Sequence, residues 1–233
     1  MQLVLFDIDG TLVSTGKAGT DAMNSVFAEL YGIANGFADI HMSGKTDPLI
    51  LQEALANHRL QIDTTMHAVI YERYLHYLRH TLQETTRPRR LMPGLPRLLE
   101  VLASRSDVLL GLLTGNVAIG AQLKLEAFGL WEYFRCGAYG SDSGDRNALV
   151  PVARARACAL AGCDFLPSQI FVIGDTPRDI ACARAHGARI IAVATGSYSV
   201  AELQQHQPDH CLMDLGDVPA VVRLVTQADA SGR

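Results

Sequence analysis

The sequence predicts an α/β fold: a Rossmann-like parallel-sheet core with helices on both faces, plus an all-helical cap domain. Three observations carry this expectation. A short apolar run from Leu3 to Phe6 ends on the carboxylates Asp7 and Asp9. From residue 91 onward, apolar runs of strand length alternate with helices, the pattern of a parallel sheet covered on both faces. Between these regions the periodicity is helical, with no strand candidate of comparable quality. The expected division is therefore an α/β core of residues 1–16 and 91–233 and a helical cap of residues 17–90.

Taken in order, Leu3 to Phe6 is the continuous apolar run of a strand buried on both faces, and Gly10 marks the turn that follows it. In the cap, the first helix carries Ala22, Val26, Phe27, Leu30 and Tyr31 on one face and ends at Gly32. Thr46-Asp47-Pro48 announces a second, with the proline in the first turn, where its missing N–H costs nothing. The third begins near Asp63-Thr64 and carries Met66, Val69, Ile70, Tyr74, Tyr77, Leu78 and Leu82 at three-to-four spacing. In the core, strands are expected at 108–113, 135–138, 170–173, 189–193 and 210–213. Helices are expected at 95–103, 117–128, 149–161, 177–186, 200–205 and 218–226. Gly129, Gly162 and Gly187 stand where left-handed helix ends favour glycine, and Ser199 with Glu202 forms a capping box. The small, polar residues after Gln227 are expected to fray.

With 233 residues, 48% of them hydrophobic, the chain can bury a substantial core. Its formal charge of -4 gives no electrostatic reason to expect nucleic acid or an anionic membrane as a partner. The basic run Arg87-Pro88-Arg89-Arg90 is expected to be a solvated linker. Five cysteines, an odd number with no C-x-x-C, are expected to be reduced, buried thiols of a cytoplasmic protein. With the first strand so soon after Met1, no cleavable signal sequence is expected, and no apolar run approaches the roughly eighteen residues of a membrane span.

Side chains two apart in an extended segment point the same way, so Asp7 and Asp9 would share one site if that geometry persisted up to the glycine turn. Two unit charges ~4 Å apart repel by roughly 4 kcal/mol at an effective dielectric near 20, so a cation should accompany them. An isolated D-x-D is more often a turn that caps backbone amides. An EF-hand calcium loop fails, since Thr11 stands where it needs Asp or Asn and Leu12 where it needs Gly. In an open parallel sheet, ligands bind outside the carboxyl ends of the strands, so the other strand ends decide. Thr114-Gly115-Asn116 follows one of them, with a hydroxyl and amides suited to an anion. Gly174-Asp175-Thr176-Pro177-Arg178-Asp179 follows another and adds two carboxylates. A third leads to Arg146. Each has a dull explanation as a helix cap or a solvated charge. Together they supply a carboxylate metal site, an anion cradle and a cation, as phosphoryl chemistry requires. No P-loop or G-x-G-x-x-G spacing occurs, and His76 and His80, though one helical turn apart, lack the glutamate of a zinc-protease motif.

These residues resemble the haloacid dehalogenase superfamily of phosphohydrolases over the whole chain. The D-x-D-G-T motif looks like Asp7 to Thr11, the Thr or Ser of the second motif like Thr114, and G-D-x-x-x-D like Gly174 to Asp179. The third motif departs from the common Lys-Pro: the loop reads Gly144-Asp145-Arg146-Asn147. Arg146 is taken as the phosphate-binding cation. Lys124 is the other candidate for that cation but, within a helix among Leu123, Leu125 and Phe128, is expected to reach solvent. The helical insertion resembles the cap of the phosphoglycolate phosphatase and beta-phosphoglucomutase branch.

The resemblance implies that Asp7 attacks phosphorus and becomes an aspartyl phosphate, while Asp9 serves as acid and then base. It implies Mg²⁺ held by Asp7, the Asp9 carbonyl and Asp175, with Asp179 ligating or orienting. Gly10, Thr114, Gly115, Asn116 and Arg146 would bind the phosphoryl group of a small phosphorylated metabolite. Lys45, in Met42-Ser43-Gly44-Lys45-Thr46, would either pair with a substrate anion or stay solvated. A Schiff base on Lys45, as in phosphonate-cleaving relatives, ranks below both. A true dehalogenase has no use for Asp9 and Asp175, and a non-catalytic phosphate-binding protein would be expected to have lost a catalytic carboxylate. Neither the particular ester nor the oligomeric state is set by the sequence.

Overall fold

The computed structural model describes residues 1–84 and 86–226. The chain begins with β1 (Gln2–Phe6), β2 (Val13–Ser14), α1 (Ala18–Tyr31), α2 (Asp47–Asn57), α3 (Thr64–Gln83) and β3 (Arg90–Leu91). It continues through α4 (Arg97–Ala103), β4 (Val108–Leu113), α5 (Ala118–Glu126), β5 (Cys136–Ala138), α6 (Leu149–Ala161) and β6 (Ile170–Gly174). The last described elements are α7 (Pro177–Ala185), β7 (Arg189–Val193), α8 (Val200–Gln205), β8 (His210–Leu212) and α9 (Val218–Thr226). The expected strands and helices are present with ends shifted by one or two residues. The expected fraying after Gln227 lies outside the described residues.

β1 sits inside a six-stranded sheet of order β5-β4-β1-β6-β7-β8, and every pairing in it is parallel. Its alternating side chains build two cores. Val4 and Phe6 join Leu98 and Leu102 of α4, Leu125 of α5 and Val221 of α9 on one face. Leu3 and Leu5 join Leu149 and Ala153 of α6, Ile180 of α7 and Leu203 of α8 on the other. A strand covered twice has no solvent face, so β1 is apolar from Leu3 to Phe6, and each fully buried Leu or Phe contributes about 2–3 kcal/mol.

The cap closes on a third cluster: Val26 and Phe27 of α1, Leu51 and Ala54 of α2, and Ile70, Tyr74, Leu78 and Leu82 of α3. Thr46 caps α2 by accepting from the Leu49 amide (3.3 Å), and Asp63 caps α3 by accepting from that of Met66 (2.8 Å). Val117, where the core enters α5, belongs to this same cluster, so the cap packs on the core at that point.

Some expectations are corrected. The antiparallel pair β2–β3 joins the strands entering and leaving the cap, Val13 opposite Leu91 and Ser14 opposite Arg90. At two residues each, these strands are too short to leave a periodicity. Arg87 is not a solvated linker residue: it donates to the Gly16 carbonyl (2.6 Å), Asp21 (2.6 Å) and Glu84 (2.8 Å). All five cysteines are free thiols, but only Cys182 is buried and Cys163 is exposed. Among the described residues no helix is long and apolar enough to cross a membrane.

Candidate active site

The Asp7 amide still pairs with the Ile173 carbonyl (2.9 Å), but the chain then folds back, with the Leu12 and Val13 amides both bonding to the Ile8 carbonyl. Gly10 makes the turn at φ +89°. The extended geometry therefore ends before Asp9, and the paired carboxylates diverge instead of sharing one set of partners. Asp7 is buried, whereas the Asp9 side chain is 43% exposed.

Asp7 enters a buried acidic cluster with Asp175 and Asp179, whose ligand oxygens lie within 4.8 Å of one another. Burial pushes the Asp7 carboxyl up to about 6; Arg146 opposes the shift, and the charges of Asp179 and Asp9 add to it. Burial, then the charges of Asp7 and Asp179, hold Asp175 well above the usual carboxylate range. Arg146 is 6% exposed and sits between them, its Nη2 lying 3.1 Å from Asp7 and also paired with Asp179. Thr11 donates to Asp175 (3.0 Å). The second Asp179 oxygen accepts from the Thr176 amide (3.0 Å) and hydroxyl (2.7 Å), which joins the cluster to the first turn of α7. Glycine is required beside Asp175: a Cβ on Gly10 would lie 2.4 Å from its carboxylate and one on Gly196 1.7 Å. Three buried hard-oxygen donors, of which Asp7 and Asp175 have a raised affinity for protons, and one nearby guanidinium suit a divalent cation such as Mg²⁺.

Asp9 turns the other way. Its Oδ2 accepts from Asn116 Nδ2 (2.9 Å) and from Lys124 Nζ (2.6 Å). Lys124 also donates to Asn116 Oδ1 (2.6 Å), and Asn116 donates to the Thr114 hydroxyl (2.8 Å). The expectation that Lys124 reaches solvent is overturned, since it is only 5% exposed. A helical side chain tilts toward the N-terminus of its helix, so a long one in the last turn of α5 reaches back toward the strand ends. Gly120, Ala121 and Leu125 are buried around it. Lys124 lies three residues from Ala121 and four from Gly120, on the buried face of α5, but beside leucines that spacing reads equally as a stem reaching to solvent.

The loop before α2 lies over the strand ends. The Asp47 amide donates to the Gly115 carbonyl (2.7 Å), and the Val117 amide donates to the Asp47 carboxylate (2.8 Å). Thr46 donates to the Gly144 carbonyl (2.7 Å) and Arg146 to that of Gly44 (3.2 Å). Gly115 and Gly44 allow this approach, because a Cβ on Gly115 would lie 2.1 Å from the Lys45 carbonyl. Lys45 Nζ pairs with Glu53 of α2. Asp7, Asp9, Gly10, Lys45, Thr114, Gly115, Asn116, Arg146 and Asp175 all line one cavity of about 440 Å³. Asp179 lies behind it, fully buried. Lys124, weighed from the sequence only as the second candidate for the phosphate-binding cation, also lines it, as do Asp47 and Tyr74, which were not singled out as site residues.

Comparison with known proteins gives the family. The family model described as haloacid dehalogenase-like hydrolase matches residues 4–193. A curated relative named phosphoglycolate phosphatase, from Agrobacterium fabrum, is 27% identical over 98% of this chain and 96% of its own length. Another of that name, from Rhodospirillum rubrum, is 29% identical over 83% of this chain and 79% of its own. In fold, the chain is similar to a predicted phosphoglycolate phosphatase from Haemophilus somnus, with TM-score 0.70, 21% identity and coverage of 95% of this chain and 98% of that one. CbbY from Rhodobacter sphaeroides, solved in complex with phosphate, superposes with TM-score 0.70 at 18% identity, covering 94% of this chain and 96% of that one. With a family match from β1 through β7 and the family's motif residues gathered around one cavity, the chain belongs to the haloacid dehalogenase-like hydrolases.

Proposed function

We propose that the protein is a Mg²⁺-dependent phosphatase that hydrolyses a small phosphate monoester of the phosphoglycolate type through an aspartyl phosphate on Asp7. The observation that carries this is the divergence of the two carboxylates: Asp7 is held in the buried cluster, while Asp9 opens into the same cavity on the opposite side. A nucleophile and a separate proton-transfer group, both facing one small cavity, are what a two-step ester hydrolysis needs. Asp7, Asp175 and the Asp9 backbone carbonyl would hold Mg²⁺. Asp179, whose oxygens are engaged by Arg146 and Thr176, is suited to orienting the cluster. When bound, the metal neutralises charge on the phosphoryl oxygens.

Asp7 attacks phosphorus while Asp9 protonates the departing alkoxide, and Asp9 then takes a proton from the water that cleaves the acyl phosphate. Thr114, the Gly115 and Asn116 amides and Arg146 orient the phosphoryl group, and Gly10 lets the backbone approach it. Residues 17–90 act as a lid hinged at β2–β3, and their loop over the strand ends limits access to small esters. The names of the relatives support phosphoglycolate as the first ester to test. Engagement of Lys45 with Glu53 favours an anion-pairing or structural lysine over an amine free to form a Schiff base. The test is turnover of phosphoglycolate, sugar phosphates and nucleotides with Mg²⁺ and with EDTA. Turnover of a small ester that is lost in EDTA and in Asp7→Asn is expected. Full activity in either, or phosphate binding without turnover of any ester, would overturn the reading.

A further inference from the structure

Lys124 has no part in the chemistry described so far, yet its burial demands an explanation. Bringing an ammonium out of water costs several kcal/mol unless it gains a counter-charge and acceptors. Here the gains are specific: Asp9 Oδ2 at 2.6 Å and Asn116 Oδ1 at 2.6 Å. The same Asp9 oxygen also takes the Asn116 amide at 2.9 Å, so two donors fix one oxygen. The cap comes close to the ammonium on its remaining side. A Cβ placed on Gly19 of α1 would lie 3.5 Å from both Lys124 Nζ and the hydroxyl of Tyr74 of α3. Tyr74 is itself 1% exposed. Lys124 does not touch the acidic cluster: its carboxylate ion-pair partner is Asp9, whereas Arg146 serves Asp7 and Asp179. The two cations are thus divided between the two carboxylates.

We propose that Lys124 is a positioning residue for Asp9, fixing that carboxylate toward the leaving-group side of the cavity when the cap is seated on α5. The assignment rests on the acid and base role given to Asp9 above. Lys124 does not contact phosphorus; with Asn116 it restricts Asp9 to one orientation from which a proton can be delivered. Its removal therefore matters only for steps in which Asp9 transfers a proton.

The test is a double-mutant cycle on kcat/KM with Lys124→Met, Asp9→Asn and the combination, using an alkyl phosphate and p-nitrophenyl phosphate. An alkoxide must be protonated as it leaves, whereas p-nitrophenolate need not be. Lys124→Met is expected to lose about 10-fold or more on the alkyl ester, up to the roughly 10² to 10⁴-fold of a lost proton-transfer group, and much less on the aryl ester. In the Asp9→Asn background the same change should cost less than about 3-fold, because residues acting as a unit are not additive. Equal losses on both esters that multiply with Asp9→Asn would overturn the proposal and make Lys124 a phosphoryl-binding cation. Wild-type turnover indifferent to Asp9→Asn would instead overturn the acid and base reading itself. Thermal melting establishes that the variants fold, and Lys124→Gln, which keeps a donor without the charge, replaces Lys124→Met if the latter does not.

Discussion

Asp9 reaches the cavity with its side chain tied to Asn116 and Lys124, whereas Asp7 is tied to Arg146, so changes at the two carboxylates should separate. Asp9→Asn should keep Mg²⁺ binding in calorimetry and lose ~10² to 10⁴-fold in rate; loss of the metal would show the side chain to be a ligand. Gly10→Ala combines φ +89° with a Cβ 2.4 Å from the Asp175 carboxylate. A destabilisation of about 1–3 kcal/mol is expected from strain alone, and an unchanged melting temperature would contradict it. Asp7, Thr114 and Asp175 were legible in the sequence because each directly follows an apolar run, and a strand end fixes where a side chain emerges. Lys124 was not, because inside a helix a lysine beside leucines reads equally as a stem reaching to solvent. Only the tertiary placement of α5 beneath the cap decides between the two.

The segments joining cap to core are pinned by short elements with no period to detect. β2 and β3 pair across the neck, Arg87 ties Gly16 to Asp21 and Glu84, and the α2 N-terminus is clasped to the entry of α5 by reciprocal hydrogen bonds through Asp47. Helices α1 to α3 were legible from apolar spacing, since a stripe must find a partner; the seam was not, because backbone groups of Gly115, Gly44 and Gly144 make much of it. Burial pushes the partly buried Asp47 carboxyl up to about 6, with Lys124 and the Val117 amide opposing the shift. Asp47→Ala removes one acceptor from the clasp, worth about 1 kcal/mol. If seating the cap contributes to substrate binding, KM should rise roughly fivefold with a smaller change in kcat. A loss confined to kcat would show that the clasp orients catalytic groups and does not hold the lid.

Across the whole molecule, the most costly feature is the cluster of like charges at the middle of the sheet. The folded-state value of Asp7 lies at about 6, above the ordinary 3.8, and that of Asp175 is also raised, both first by burial. The folded chain therefore binds more protons than the unfolded chain in this window, and metal-free stability should fall as pH rises from about 4 through 6 and beyond. The melting temperature in EDTA should accordingly be higher at pH 5.5 than at 7.5. Mg²⁺ should stabilise more at 7.5, and Asp175→Asn should flatten the metal-free profile; a profile rising with pH in both proteins would contradict this account of the cluster. The sheet order, with β1 between β4 and β6, brings the motifs following those three strands side by side and leaves Asp7 as the group poised for attack. The central claim is that Asp7 carries the phosphoryl group, and the direct measurement is to quench the enzyme during turnover of a phosphate ester with Mg²⁺, reduce with borohydride and map the peptides. Acyl phosphate on Asp7 predicts homoserine at position 7, absent without substrate; sustained turnover with Asp7 intact, or reduction at another carboxylate, would contradict it.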